Sequence, residues 1–124
     1  MTRIAVLQMC SGIDPLHNAH IISTAAKHAA AGGAAMLFTP EMSGLLYRDR
    51  KRAAGSICRL IEDPVFQSAQ QAASQNDIWI SVGSLAVLGD GGDERFSNRS
   101  LVIDNKGSLR DYYDKIHLFD VDVA

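Results

Sequence analysis

The sequence predicts an α/β fold: mainly parallel strands with flanking helices, ending in a C-terminal β-hairpin. Three observations carry this expectation. An apolar run at 4–9, a helix-start signal at Asp14-Pro15 and a second apolar run at 34–39 follow one another with short returns. That is the pattern of a βαβ unit, whose two strands are parallel. The same Asp-Pro signal recurs at Asp63-Pro64, ahead of a strand-like run at 78–84. Finally, residues 96–104 and 108–114 flank Asn105-Lys106-Gly107, which has the turn chemistry of a hairpin.

Each element has a local reason. The run at 4–9 is apolar on both faces, which predicts a strand covered on both sides. Asp14 supplies a cap acceptor and Pro15 fits the first helical turn. Ala19, Ile22, Ala25, Ala26, Ala29 and Ala30 then recur at three- and four-residue spacing, so they share one face. That face is mostly alanine and allows close approach to a sheet; Gly32-Gly33 ends the helix. Residues 53–61 read as helical. After Asp63-Pro64, the residues Val65, Phe66, Ala69, Ala72 and Ala73 mark an amphipathic helix closing near Asn76. The run at 78–84 is rich in β-branched and aromatic residues, as strands are. Residues 88–94 read as a flexible loop.

Composition narrows the function classes. A hydrophobic fraction of 47% and a net charge of -2 over 124 residues suit one soluble globular domain. They suggest no nucleic-acid surface, and no apolar run approaches membrane-spanning length. The N-terminal apolar run is too short for a signal-peptide core. Two cysteines, Cys10 and Cys58, make neither a disulfide framework nor a metal spacing. A reducing cytoplasm is the compartment these features predict. The last residues, 121–124, contain no helix stop and no closing element, and the chain is expected to be the N-terminal part of a longer single domain.

In open parallel sheets, ligands bind beyond the carboxyl ends of the strands. Cys10 and Glu41 both fall at such ends. Lys115 lies between the aromatic pair Tyr112-Tyr113 and an apolar run. A lysine there either reaches water at a strand end or is held inside, where it needs an anionic partner. Glu41, after the strand that ends in Phe38-Thr39-Pro40, is the best partner available.

Four features in this order resemble the nitrilase, or carbon-nitrogen hydrolase, superfamily. They are a first strand ending in Gln8-Met9, a strand running into Pro40-Glu41, a strand ending in Val82-Gly83-Ser84, and Asn98 followed by a hairpin into Tyr113-Asp114-Lys115-Ile116-His117-Leu118-Phe119. The resemblance covers the whole chain but only the front part of the family's catalytic domain. It implies the front of an α-β-β-α sandwich and a Glu-Lys-Cys triad. Glu41 matches the general base and Lys115 matches the lysine that stabilises the tetrahedral intermediate. The nucleophilic cysteine of that pattern lies beyond Ala124.

The implied activity is hydrolysis of a carbon-nitrogen bond in a small non-peptide amide, carbamoyl or nitrile compound. The resemblance implies no cofactor, no metal and a homo-oligomer for the longer protein. The chemistry suits the residue types. A thiol needs a proton acceptor beside it to attack such a bond, and a carboxylate in a closed apolar pocket holds protons more tightly, which suits the task near neutrality. A fixed ammonium facing the oxyanion stabilises the transition state; losing such a donor costs about 3–4 kcal/mol of barrier. By the same resemblance the 124-residue chain alone is expected to be inactive. Two readings from other classes stand beside this one: a non-catalytic small-molecule-binding module with the same fold, and a nucleotide-binding α/β domain.

The remaining residues read more plainly. Cys10 reads as a small buried thiol and Cys58 as helix packing. His117 reads as a hydrogen-bonded core residue, and His17, His20 and His28 as surface. Asn98 matches a recurrent asparagine of the family and is expected to hydrogen-bond near the site. The charged run at 48–52 reads as a solvated helix start, and the glycines at 89–92 lack the context of a phosphate loop.

Overall fold

The computed structural model describes residues 1–46, 49–89 and 95–115. These residues form a five-stranded sheet in the order β1 (Ile4–Val6), β2 (Met36–Phe38), β3 (Trp79–Leu88), β4 (Phe96–Ile103) and β5 (Leu109–Asp114). β1, β2 and β3 are parallel, while β3-β4 and β4-β5 are antiparallel. Helix α1 (Pro15–Ala31) links β1 to β2, and α3 (Pro64–Asn76) precedes β3. A short helix α2 (Arg50–Ala54) and a 3-10 turn (Leu60–Glu62) lie between β2 and α3. Among the described residues, no helix is long and apolar enough to cross a membrane.

The capping signals act as their chemistry requires. The Asp14 carboxylate accepts the Leu16 N–H, and that of Asp63 accepts those of Val65 and Phe66 at 2.8 and 2.9 Å. α3 ends on Asp77 in the left-handed conformation, φ 51°. The hairpin turn closes through Asp104, whose Oδ1 accepts the N–H groups of Lys106 and Ser108, with Gly107 at φ 85°.

α1 and α3 pack together and cover one face of the sheet. Leu37, Ile80, Val82, Leu101 and Ile103 point at Ile22, Ala26, Val65, Ala69 and Ala73, all essentially inaccessible. Burying a Leu- or Ile-sized side chain stabilises by about 1.5–3 kcal/mol, so this layer is the main source of stability.

The other face differs from the expectation that β1 would be covered on both sides. Ile4 and Val6 are 56% and 74% exposed. The chain steps from β1 to β2 to β3 in one direction, so two crossovers of the same hand set both helices on the same side. The uncovered face carries apolar residues across the strands: Ile4, Met36 and Trp79 in one row, and Val6, Phe38 and Val102 in another that Ser81 interrupts between Phe38 and Val102.

Three further expectations are corrected. Residues 53–61 are not one helix: α2 stops at Ala54 before Gly55, and the chain runs irregularly to the 3-10 turn. Cys58 therefore lies in a connection, where its carbonyl accepts the Leu88 N–H at 2.9 Å. β1 is shorter than 4–9, although the Leu7 N–H still reaches the Phe38 carbonyl at 2.8 Å. β3 is longer than 78–84, because its register shifts between Val82 and Leu85 and pairing with β4 then resumes.

Candidate functional site

β5 runs antiparallel to β4, which runs antiparallel to β3, so the C-terminal ends of β2, β3 and β5 share one edge of the fold. Glu41 follows β2 and Lys115 follows β5, and this topology brings them to the same place. Lys115 Nζ and Glu41 Oε1 form an ion pair. The enclosure expected around them is not built by the described residues: the Lys115 side chain is 29% exposed and that of Glu41 is 65% exposed.

Lys115 is held from its backbone. Its N–H donates to the Asn98 carbonyl at 2.9 Å, extending the β4-β5 ladder by one residue. Immediately before it, Asp114 faces Arg99 across the two strands. The Arg99 guanidinium donates to both carboxylate oxygens and lies 4.4 Å from the centre of the Tyr112 ring. The hydrogen bond from Arg99 lowers the Asp114 pKa below the usual carboxylate value, against an opposing effect of burial. Asn98 thus supports the candidate site through its main chain, while its buried side-chain Oδ1 has no hydrogen-bond partner among the described residues.

Glu41 is held by a different device. It sits in a tight turn with Met42 at φ 53°, a conformation that non-glycine residues avoid. The turn rests on the irregularity in β3. Gly83 lies so close that an added Cβ would come within 2.5 Å of both the Thr39 and Pro40 carbonyl oxygens. Ser43, fully buried, donates its hydroxyl toward Pro40 O and Thr39 Oγ1. The loop after β1 is tied to the same region by Asn18, whose side chain accepts the Gly12 N–H and donates to the carbonyls of Gly12 and Gly44.

The sequence reading missed this support. Asn18 carried a legible signal, since it is a polar residue beside the apolar stripe of α1. The β3 irregularity carried little beyond Gly83-Ser84 at the end of a strand.

The other residues singled out from sequence fall elsewhere. Cys10 is exposed rather than buried. Cys58 is partly buried, and desolvation followed by the nearby carboxylates of Asp63 and Glu62 pushes its thiol pKa up, which disfavours a thiolate. His17, His20 and His28 are exposed on α1. His117, Arg48 and the glycines at 91–92 lie outside the described residues. Among the described residues, no group of three or more His, Cys, Asp or Glu side chains could hold a metal ion.

Comparison with known proteins bears on this geometry. The family model described as carbon-nitrogen hydrolase matches residues 3–124. The chain is 31% identical over 120 residues to the deaminated glutathione amidase of Yersinia enterocolitica, covering 97% of this chain and 41% of that protein. A glutamate-to-glutamine mutant of the amidase from Nesterenkonia sp. AN1, with acrylamide added at its active-site cysteine, superposes with a TM-score of 0.80 at 26% identity. That match covers 96% of this chain and 46% of the amidase. The NitFhit protein of C. elegans gives a TM-score of 0.82 at 27% identity over 99% of this chain and 31% of its own. The chain thus spans less than half the length of each of these relatives.

Proposed function

The chain belongs to the carbon-nitrogen hydrolase family, and on that premise we propose that it supplies two thirds of a Glu-Lys-Cys triad. Glu41 is the general base, Lys115 stabilises the oxyanion, and the nucleophilic cysteine comes from polypeptide outside this chain. The observation that carries the reading is the Lys115–Glu41 ion pair at the shared strand end.

The reaction follows from these groups. Glu41 takes the thiol proton as sulfur attacks the substrate carbonyl carbon. The carbonyl oxygen becomes an oxyanion beside the Lys115 ammonium. Collapse breaks the carbon-nitrogen bond, and Glu41 returns the proton to the departing ammonia or amine. Water then attacks the thioester, giving its proton to Glu41 and releasing the acid and the thiol. No step requires a metal or an organic cofactor. The substrate is a small amide or carbamoyl compound; the name of the Yersinia relative favours the amide. The same reading includes a homo-oligomer working in the cytoplasm, where a catalytic thiol stays reduced.

The test is an ammonia-release screen of small amides with the full-length protein that carries this chain, in parallel with its Glu41→Gln variant. Turnover lost in the variant supports the reading. Turnover retained in the variant, or saturable amide binding without turnover by the wild-type protein, contradicts it; the second result is the behaviour of a binding module.

A further inference from the structure

We propose that Ser84 is a positioning residue that aims the Glu41 carboxylate at its partner, an inference resting on the catalytic reading of Glu41 above. Ser84 is fully buried at the point where β3 leaves regular pairing with β4. It grips the two residues that follow Glu41. Its Oγ accepts the Met42 N–H at 2.9 Å, and its carbonyl accepts the Ser43 N–H at 3.0 Å.

The reason such a grip matters is the backbone at Met42. At φ 53° the side chain crowds its own main chain, and a residue stays there only when its surroundings over-determine the geometry. The Ser84 hydroxyl supplies one of those determinants. On the neighbouring residue, the Gly83 N–H donates to Thr39 Oγ1 at 3.3 Å, and its carbonyl accepts the Ser100 hydroxyl at 2.6 Å. The irregular stretch of β3 is thereby fixed to the Glu41 turn on one side and to β4 on the other. β4 in turn carries Asn98, which holds the Lys115 backbone. One irregularity therefore sets the relative position of the acid and the ammonium.

Removing the Ser84 hydroxyl frees Met42 to leave the left-handed region and turns the Glu41 carboxylate away from Lys115. A carboxylate that loses a neighbouring ammonium binds its proton more tightly. A misplaced base also slows the chemical step far more than it weakens binding.

The experiment uses the full-length protein with Ser84→Ala, Ser84→Cys and Glu41→Gln. For Ser84→Ala, kcat is expected to fall about 10- to 100-fold, with KM changed less than about twofold, as for an interaction realised in the transition state. The acid limb of kcat/KM moves to higher pH. Ser84→Cys, close in size but a poor acceptor, shows the same displacement and serves if the alanine variant does not fold. A folded Ser84 variant with the wild-type pH profile overturns the proposal, even if its thermal midpoint is lower, because a purely structural serine would behave that way. An inactive Glu41→Gln beside an unaltered Ser84 variant sinks this inference alone. An active Glu41→Gln sinks the catalytic reading and this inference with it.

Discussion

Arg99 and Asp114 face each other across β4 and β5, joined by hydrogen bonds of 2.7 and 3.0 Å, one residue before Lys115. The Arg99 side chain is 10% exposed and that of Asp114 is 39% exposed. The guanidinium is thus nearly covered while the carboxylate stays partly in solvent, and the pair's worth is below that of a fully buried one. Asp114→Asn keeps the shape but removes the charge, and it is expected to destabilise the fold by about 1–2 kcal/mol. Urea unfolding at neutral pH measures it.

The same pair sets a pH dependence. The Asp114 pKa is lower in the folded state than in the unfolded chain, so its contribution is present above the unfolded value and is lost as pH falls through the folded one. Asp104, lowered mainly by the Ser108 N–H, acts in the same direction. Stability is expected to decline below about pH 4, and Asp114→Asn flattens that decline. An unchanged slope in the variant would remove Asp114 from the account.

Asp63 acts with the opposite sign. Burial raises its pKa although two backbone N–H groups pull it down. Its contribution is full below the unfolded value and is lost as pH rises through the folded one. Asp63→Asn retains the cap acceptor and sheds the buried charge, so at pH 7 it is expected to cost less than about 0.5 kcal/mol. Asp63→Ala loses the cap and costs about 1–2 kcal/mol. Chemical denaturation of the two variants side by side distinguishes them.

Gly83→Ala tests the close approach of β3 to the Glu41 turn. The added methyl meets backbone oxygens of Thr39 and Pro40, which cannot rotate away as a side chain would. Overpacking of this kind costs about 1–3 kcal/mol, and the turn carrying Glu41 shifts with it. Thermal unfolding together with kcat reports both effects.

Much of this was legible in the residues. Both Asp-Pro signals became capped helices, the alanine face of α1 became the surface packed on α3 and the sheet, and Asn105-Lys106-Gly107 became the hairpin turn. Glu41 and Lys115 were paired by neither periodicity nor proximity in sequence. Their pairing was suggested by a strand-end carboxylate and a lysine in apolar company, and their roles came from the resemblance carried by Pro40-Glu41 and the motif from Tyr113 to Phe119. What stayed hidden depended on tertiary geometry. Residues 53–61 contain helix formers, but Gly55 and the bridge from Arg59 to Leu88 draw the segment into extended chain. The open face of β1 follows from the direction of two crossovers, which its own apolar residues do not encode. The β3 irregularity lies where the backbone of Thr39 and Pro40 closely approaches Gly83, a contact between segments far apart in the chain.

The most direct test of the central claim is a double-mutant cycle on kcat/KM in the full-length protein, using Glu41→Gln, Lys115→Ala and the two combined. If the acid and the ammonium act as one unit, each single change lowers kcat/KM by at least about 100-fold, and the double variant is little worse than either alone. Effects of the two changes that simply multiply, or activity retained in either single variant, would contradict the account.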